Sequence, residues 1–209
     1  MNEKVAYLSI DCEFTSFDMQ GGDLISFASV EVMDSLTIGR EFSAFLRPRS
    51  VKYFTDGAQE IHGISYFKAT TFPERGVSIK RFIEWLSPLQ DQFKLKVLYY
   101  GSWNFDLRWI EETMKAEGFG SEFIASFVSD KTEHINVLKL ARENLKHIGD
   151  NWVEDSKGKL VNKKYELSHV AAFYDVEIDH HQADSDARAT AEIYIKLMNK
   201  ENIWTGRLI

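Results

Sequence analysis

The residues Val5 to Ile10 form a short, mostly apolar run that ends on Asp11-Cys12-Glu13. A run of that length and character predicts a buried central strand. Side chains alternate across a strand, so Asp11 and Glu13 share one face and Cys12 takes the other. Two carboxylates side by side at the end of such a strand repel one another. A hard divalent cation between them relieves the repulsion, since Mg²⁺ and Mn²⁺ prefer oxygen ligands. Taken alone, an Asp-x-Glu pair reads more readily as two solvated carboxylates.

The rest of the pattern supplies partners for that strand. Leu24 to Val32 is apolar with β-branched and aromatic members, and a turn at Asp34-Ser35 leads to an alternating segment, Glu41 to Leu46, ending before Pro48. Three strands on short connections predict an antiparallel meander. Ile79, Phe82, Ile83 and Leu86 then have helical spacing, with Pro88 as the expected stop. Leu95 to Gly101 reads as a fourth strand and Phe105 to Ala116 as a helix closing at Gly118. Further helices are expected over Ile135 to Leu145, Leu167 to Phe173 and Asp184 to Asn199, the last with Ala187, Ala191, Ile195 and Met198 as its apolar stripe. Strands first, then strand–helix alternation, predict an α/β architecture: a mixed sheet flanked by helices. Trp152 to Tyr165 interrupts this as a hairpin about Asp155-Ser156-Lys157-Gly158, and it carries Lys157, Lys159, Lys163 and Lys164. A solvated hairpin is a simpler reading of it than a substrate clamp.

Composition narrows the class. The 209 residues carry 44% hydrophobic and 27% charged side chains, the balance of a globular chain, and with no linker or repeat they read as a single domain over 1–209. No apolar run is long enough to cross a bilayer, and the first residues lack a signal-peptide core. One cysteine, Cys12, leaves no intrachain disulfide framework or multi-cysteine zinc site, which fits a reducing, cytoplasmic setting. The net charge of −7 predicts few phosphate contacts. It does not exclude a polyanionic substrate, because carboxylates that hold cations reverse the local sign.

Two more acids and a histidine complete the candidates. Asp106 stands where the fourth strand gives way to a helix, a position that also suits the helix dipole. His181 and Asp186 lie five apart in His180-His181-Gln182-Ala183-Asp184-Ser185-Asp186, with Asp186 at a helix start and His181 before the regular helix. A neutral imidazole, with its ordinary pKa of about 6.5, is suited to take a proton from water.

Asp-x-Glu on the first strand, Asp on the helix after the fourth, and His-x-Ala-x-x-Asp-type residues opening the last helix occur in that order. In this the chain resembles the DEDD exonuclease superfamily in its histidine-containing branch, which includes the polymerase III proofreading subunit, ribonuclease T and oligoribonuclease. The resemblance runs from Val5 to about Met198. Ile61-His62-Gly63-Ile64-Ser65 is similar to the family's Ile-His-Gly-Ile-Thr, and Val137-Leu138-Lys139-Leu140-Ala141-Arg142 to its Thr-Leu-x-Leu-Ala-Arg. The run from His181 to Ala191 is similar to its His-Arg-Ala-x-x-Asp-Ala-x-Ala-Thr-Ala. The chain departs at Phe14-Thr15-Ser16, where Thr-Thr-Gly is common, at Ser102, where asparagine is, and at Asn136, where aspartate is. Only the register from His181 works, since starting at His180 would put Gln182 in the alanine position and Ser185 in that of the acid. His180 is left without a role.

The resemblance implies a ribonuclease H-like fold with a mixed five-stranded sheet. It implies that Asp11, Glu13, Asp106 and Asp186 hold two divalent ions, Mg²⁺ or Mn²⁺, about 3.5–4 Å apart. It makes His181 the general base and sets Phe14, Thr15, His62 and Ser102 near the terminal nucleotide. The implied substrates are single-stranded or frayed 3′ ends of DNA or RNA, cut to nucleoside 5′-monophosphates, with no membrane partner. Relatives include monomers and dimers, so a homodimer stays open. The competing readings are a metal phosphohydrolase acting on small nucleotides and a non-catalytic nucleic-acid-binding module. A serine hydrolase is disfavoured because no Gly-x-Ser-x-Gly occurs.

Overall fold

The computed structural model describes residues 4–16, 18, 21–101, 105–119, 133–155 and 158–199. Strands β1 (Val5–Phe14), β2 (Leu24–Met33) and β3 (Ile38–Phe45) form the expected antiparallel meander. Strands β4 (Lys94–Tyr99) and β5 (Glu133–Asn136) add to it in parallel, giving one mixed sheet ordered β3-β2-β1-β4-β5. The apolar run Val5 to Ile10 is therefore central, with a hydrogen-bonded neighbour on each side. That explains why no residue of β1 or β2 is exposed and why nearly all of β2 is buried.

Helices cover both faces. On one side, Ala6, Leu8, Ile10 and Cys12 of β1 pack with α3 (Arg75–Gln92) and α4 (Phe105–Ala116) through Ile79, Phe82, Leu86, Trp109 and Ile110. On the other, Ala28, Val30 and Leu98 meet α5 (Val137–Asn144), α6 (Leu167–Phe173) and α7 (Ala183–Met198). Fully buried Ala187 and Ala191, one turn apart, allow α7 to approach the sheet closely. Because α7 lies on the Asp11–Glu13 face and α4 on the Cys12 face, two acids on different helices are brought to the same end of β1.

Several expectations are corrected. Pro88 does not stop α3, which runs on to Gln92. Proline costs the amide that would bond the carbonyl of residue 84, but the extra turn buries Leu89, and Phe93 N–H closes the helix on the Leu89 carbonyl at 2.9 Å. The helix expected over Ile135 to Leu145 starts at Val137, because Ile135 and Asn136 belong to β5. Asn136 caps it, accepting from Lys139 N–H at 3.0 Å. Met198 is 46% exposed, and the buried end of α7 is Tyr194 and Leu197 instead. Two short helices, α1 (Asp56–His62) and α2 (Tyr66–Ala69), occupy a stretch with no clear periodicity. Gly63 ends α1 at φ 69, the left-handed cap that explains glycine in Ile-His-Gly-Ile. The hairpin is present as β6 (Trp152–Glu154) and β7 (Leu160–Asn162). No helix among the described residues is long and apolar enough to cross a membrane.

Candidate active site

Asp11, Glu13 and Asp186 converge: one carboxylate oxygen from each lies within 4.8 Å of the other two. Period-2 alternation puts Asp11 and Glu13 on the face that α7 covers, and the first turn of α7 supplies Asp186. Glu13 is 8% exposed and Asp186 5%, so these charges have lost most of their hydration. Asp106, in the first turn of α4, stands outside that closest group, but its charge acts on Asp11, Cys12 and Glu13. Cys12 turns to the core, its Sγ 3.8 Å from the Asp106 carbonyl oxygen, and burial pushes the thiol up.

The electrostatics carry a clear sign. Burial, then the charges of Asp106, Asp186 and Glu13, raise Asp11 well above the carboxylate range. Burial followed by Asp186 and Asp106 pushes Glu13 to about 8, and burial pushes Asp106 to about 7. Desolvated, like-charged and all-oxygen, the cluster is short of positive charge. Its donor set matches a hard divalent cation.

The histidines flank Asp186 on the loop before α7. His181 adopts φ 67, a left-handed conformation that costs about 1–2 kcal/mol for a residue with a Cβ. The bend lets its own N–H donate to Asp186 Oδ2 at 3.1 Å. His180 Nδ1 reaches the same carboxylate at 3.2 Å, which raises its pKa, and stacks on the His181 ring with centroids 3.9 Å apart. Burial, then the neighbouring His180, lowers the His181 pKa, favouring the neutral imidazole.

The residues expected near a terminal nucleotide divide into two groups. The β1–β2 ladder shifts register between Glu13 and Phe14, which pairs with Leu24. Phe14 is half-buried there, stacked on Trp109 at 5.0 Å and edge-on to Phe105 at 5.1 Å. Thr15 and His62, by contrast, are buried and bonded internally. Thr15 donates to the Asp23 carbonyl at 2.9 Å, its hydroxyl accepts from Asp23 N–H at 2.8 Å, and its carbonyl accepts from Thr55 N–H at 2.9 Å. His62 Nδ1 accepts from Ile64 N–H at 3.0 Å, so Nε2 carries the proton and donates to the Phe14 carbonyl at 3.2 Å. Ser102 lies outside the described residues. Its neighbour Gly101 is tied by Asn136, whose Nδ2 donates to the Gly101 carbonyl at 3.0 Å, a bond that an aspartate at this position would not make.

Three supporting groups were not evident from the sequence. Asp23, 1% exposed, binds Arg75 and Arg49 at 2.6 Å each, and Arg75 continues to Glu117 at 3.0 Å. Gln182 donates to the His62 carbonyl at 3.4 Å, joining the histidine loop to α1. His180 is the third. No spacing rule points to any of these partners.

The family model described as Exonuclease, of the ribonuclease T type, matches residues 8–194. This chain belongs to that exonuclease family, within the DEDD superfamily. E. coli exonuclease I in complex with a dT13 oligonucleotide is similar in structure, with a TM-score of 0.71 and 18% identity over 95% of this chain and 42% of that one. The same enzyme with a dA16 oligonucleotide gives 0.69 and 19% over 94% and 41%. A moderately thermophilic exonuclease I from Methylocaldum szegediense gives 0.67 and 18% over 95% and 41%. These likenesses show the ribonuclease H-like fold, and the chain spans about two fifths of the length of each. No curated protein sequence matches the chain.

Proposed function

We propose that the chain is a divalent-metal-dependent 3′→5′ exonuclease, of the histidine-containing DEDD branch, acting on single-stranded or frayed 3′ ends of DNA or RNA. The observation that carries this reading is the convergence of half-buried Asp11 with buried Glu13 and Asp186, one carboxylate oxygen from each, beside a neutral His181. Asp11, Glu13, Asp106 and Asp186 are the residues that would hold two Mg²⁺ or Mn²⁺ ions. When bound, such ions lower the pKa of water and stabilise charge on the leaving oxygen.

The chain's own residues do the rest. His181 takes the proton of the attacking water, and burial and His180 keep it neutral enough to do so. Attack on phosphorus breaks its bond to the 3′ oxygen of the preceding nucleotide and releases a nucleoside 5′-monophosphate. Phe14, held from behind by His62 and from the side by Trp109, is the wall against which the terminal base would rest. Single-stranded substrates are supported by the oligonucleotides held by E. coli exonuclease I.

The test is digestion of 5′-labelled DNA and RNA oligonucleotides with Mg²⁺ or Mn²⁺. Progressive shortening from the 3′ end is expected, slowed by a 3′-phosphate. Cutting of a closed circle would overturn the reading. Hydrolysis of free nucleotides without any shortening would transfer it to a phosphohydrolase.

A further inference from the structure

An all-oxygen cation site does not account for the pair of histidines. His180, His181 and Asp186 each offer one ligand atom within 4.8 Å of the other two. Their arrangement is built rather than incidental. The left-handed backbone of His181 places its N–H on Asp186, His180 Nδ1 sits 3.2 Å from the same carboxylate, and the imidazoles stack 25° from parallel. Two imidazole nitrogens and one carboxylate oxygen, with a fourth position left for water, form a donor set for Zn²⁺ rather than Mg²⁺.

We propose that His180, His181 and Asp186 form a nitrogen-rich metal site that takes Zn²⁺ and, when filled, shuts off the oxygen-lined site. The binding half stands on the geometry alone; the inhibitory half rests on the exonuclease reading. Asp186 belongs to both ligand groups, so the two occupancies compete for one carboxylate. A His181 nitrogen whose lone pair is given to an ion cannot accept a proton from water. Mg²⁺ has little affinity for imidazole, so it opposes Zn²⁺ only through Asp186.

The experiment measures Zn²⁺ affinity of the metal-stripped full chain by competition with a chromophoric chelator, and nuclease activity in Mg²⁺ under Zn²⁺ titration. Wild type is expected to bind one Zn²⁺ tightly and to lose activity over the same concentrations. His180→Asn keeps an amide N–H facing Asp186 but removes a nitrogen ligand. Its Zn²⁺ affinity should fall about 100-fold or more, given that loss of even an outer-shell partner costs roughly 10–100-fold. Its inhibition curve should move by the same factor, while the melting-temperature rise produced by Mg²⁺ persists. His181→Asn gives an independent binding readout, because it removes the other nitrogen. Equal Zn²⁺ affinity in wild type and both variants would overturn the site. Tight Zn²⁺ binding without inhibition would overturn the competition for Asp186. Zn²⁺ binding by a chain that cuts no oligonucleotide supports the metal site and overturns the exonuclease reading instead.

Discussion

The backbone N–H of His181 donates to Asp186 Oδ2, so the proposed base and a proposed metal ligand are held by one main-chain contact. The contact survives removal of the imidazole, which makes the two roles separable. His181→Ala should lower turnover about 10²–10⁴-fold, the usual contribution of a general base, yet keep the melting-temperature rise on adding Mg²⁺ or Mn²⁺. Asp186→Asn should lose activity and most of that rise. Saturation by metal at about a hundredfold excess over Kd is worth about 2.7 kcal/mol, so the difference is easily read in melting curves. If His181→Ala loses the metal response as fully as Asp186→Asn, histidine is a ligand and its assignment as base is wrong.

The raised carboxylates set a pH dependence for the metal-free chain. Glu13 is held at about 8 and Asp106 at about 7, above their ordinary values of 4.5 and 3.8, and Asp11 is raised as well. A group whose folded pKa is raised contributes stability that is present below its unfolded value and lost as pH rises through the folded value. Without metal, the melting temperature should therefore fall between about pH 4.5 and 8. A loss of about 1–2 kcal/mol would appear as a drop of about 4 °C in a chain of this size. Saturating Mg²⁺ should flatten the profile, because bound cations favour the ionised carboxylates. A metal-free melting temperature that is level or climbs across this window would show that the acids do not share a desolvated site.

What the sequence disclosed about this site follows from locality. Asp11 and Glu13 are fixed by alternation within one strand, and Asp186 by its place in a helix's first turn, so each was legible from its neighbours. The supports were not. Asp23 pairs with Arg49 and Arg75, 26 and 52 residues away, and Gln182 reaches back 120 residues to His62. Such contacts exist only once the sheet has formed. β5 was illegible for another reason: Glu133 to Asn136 is four residues long and has no apolar alternation, and its pairing with β4 creates it. Pro88 misled because burial of Leu89 outweighs a local rule.

Gly22 links a tight turn to the aromatic wall. A Cβ there would lie 2.7 Å from Trp109 Cη2 and 2.9 Å from the Asp18 carbonyl oxygen, distances that side chains do not tolerate. Trp109 is buried and stacked on Phe14, so it cannot retreat without moving that ring. Gly22→Ala should destabilise the chain by about 1–3 kcal/mol, the usual cost of overpacking. It should also raise KM more than it lowers kcat, because the wall moves while the acids do not. An unchanged melting temperature would show that the turn relaxes freely, and an unchanged KM that Phe14 does not meet the substrate.

Among the described lysines of the hairpin segment, Lys163 lies close enough to influence both His180 and His181, yet its charge and that of Lys164 are already engaged in ion pairs within the protein. Lys163 Nζ lies 2.6 Å from Glu166 and Lys164 Nζ 3.5 Å from Asp150, while Lys157 is outside the described residues. An ammonium group so paired has little left to release counterions from a phosphate. Each phosphate neutralised on a single strand contributes about −0.7 to the slope of log affinity against log salt. Converting Lys163 and Lys164 together to Ala should therefore leave that slope unchanged, at a stability cost within the roughly 0–1 kcal/mol typical of exposed ion pairs. With a net charge of −7, the wild-type slope itself should be shallow. A loss of about 1.4 in slope magnitude would mean that both lysines leave their acids to meet the nucleic-acid backbone, making the hairpin a clamp rather than scaffold.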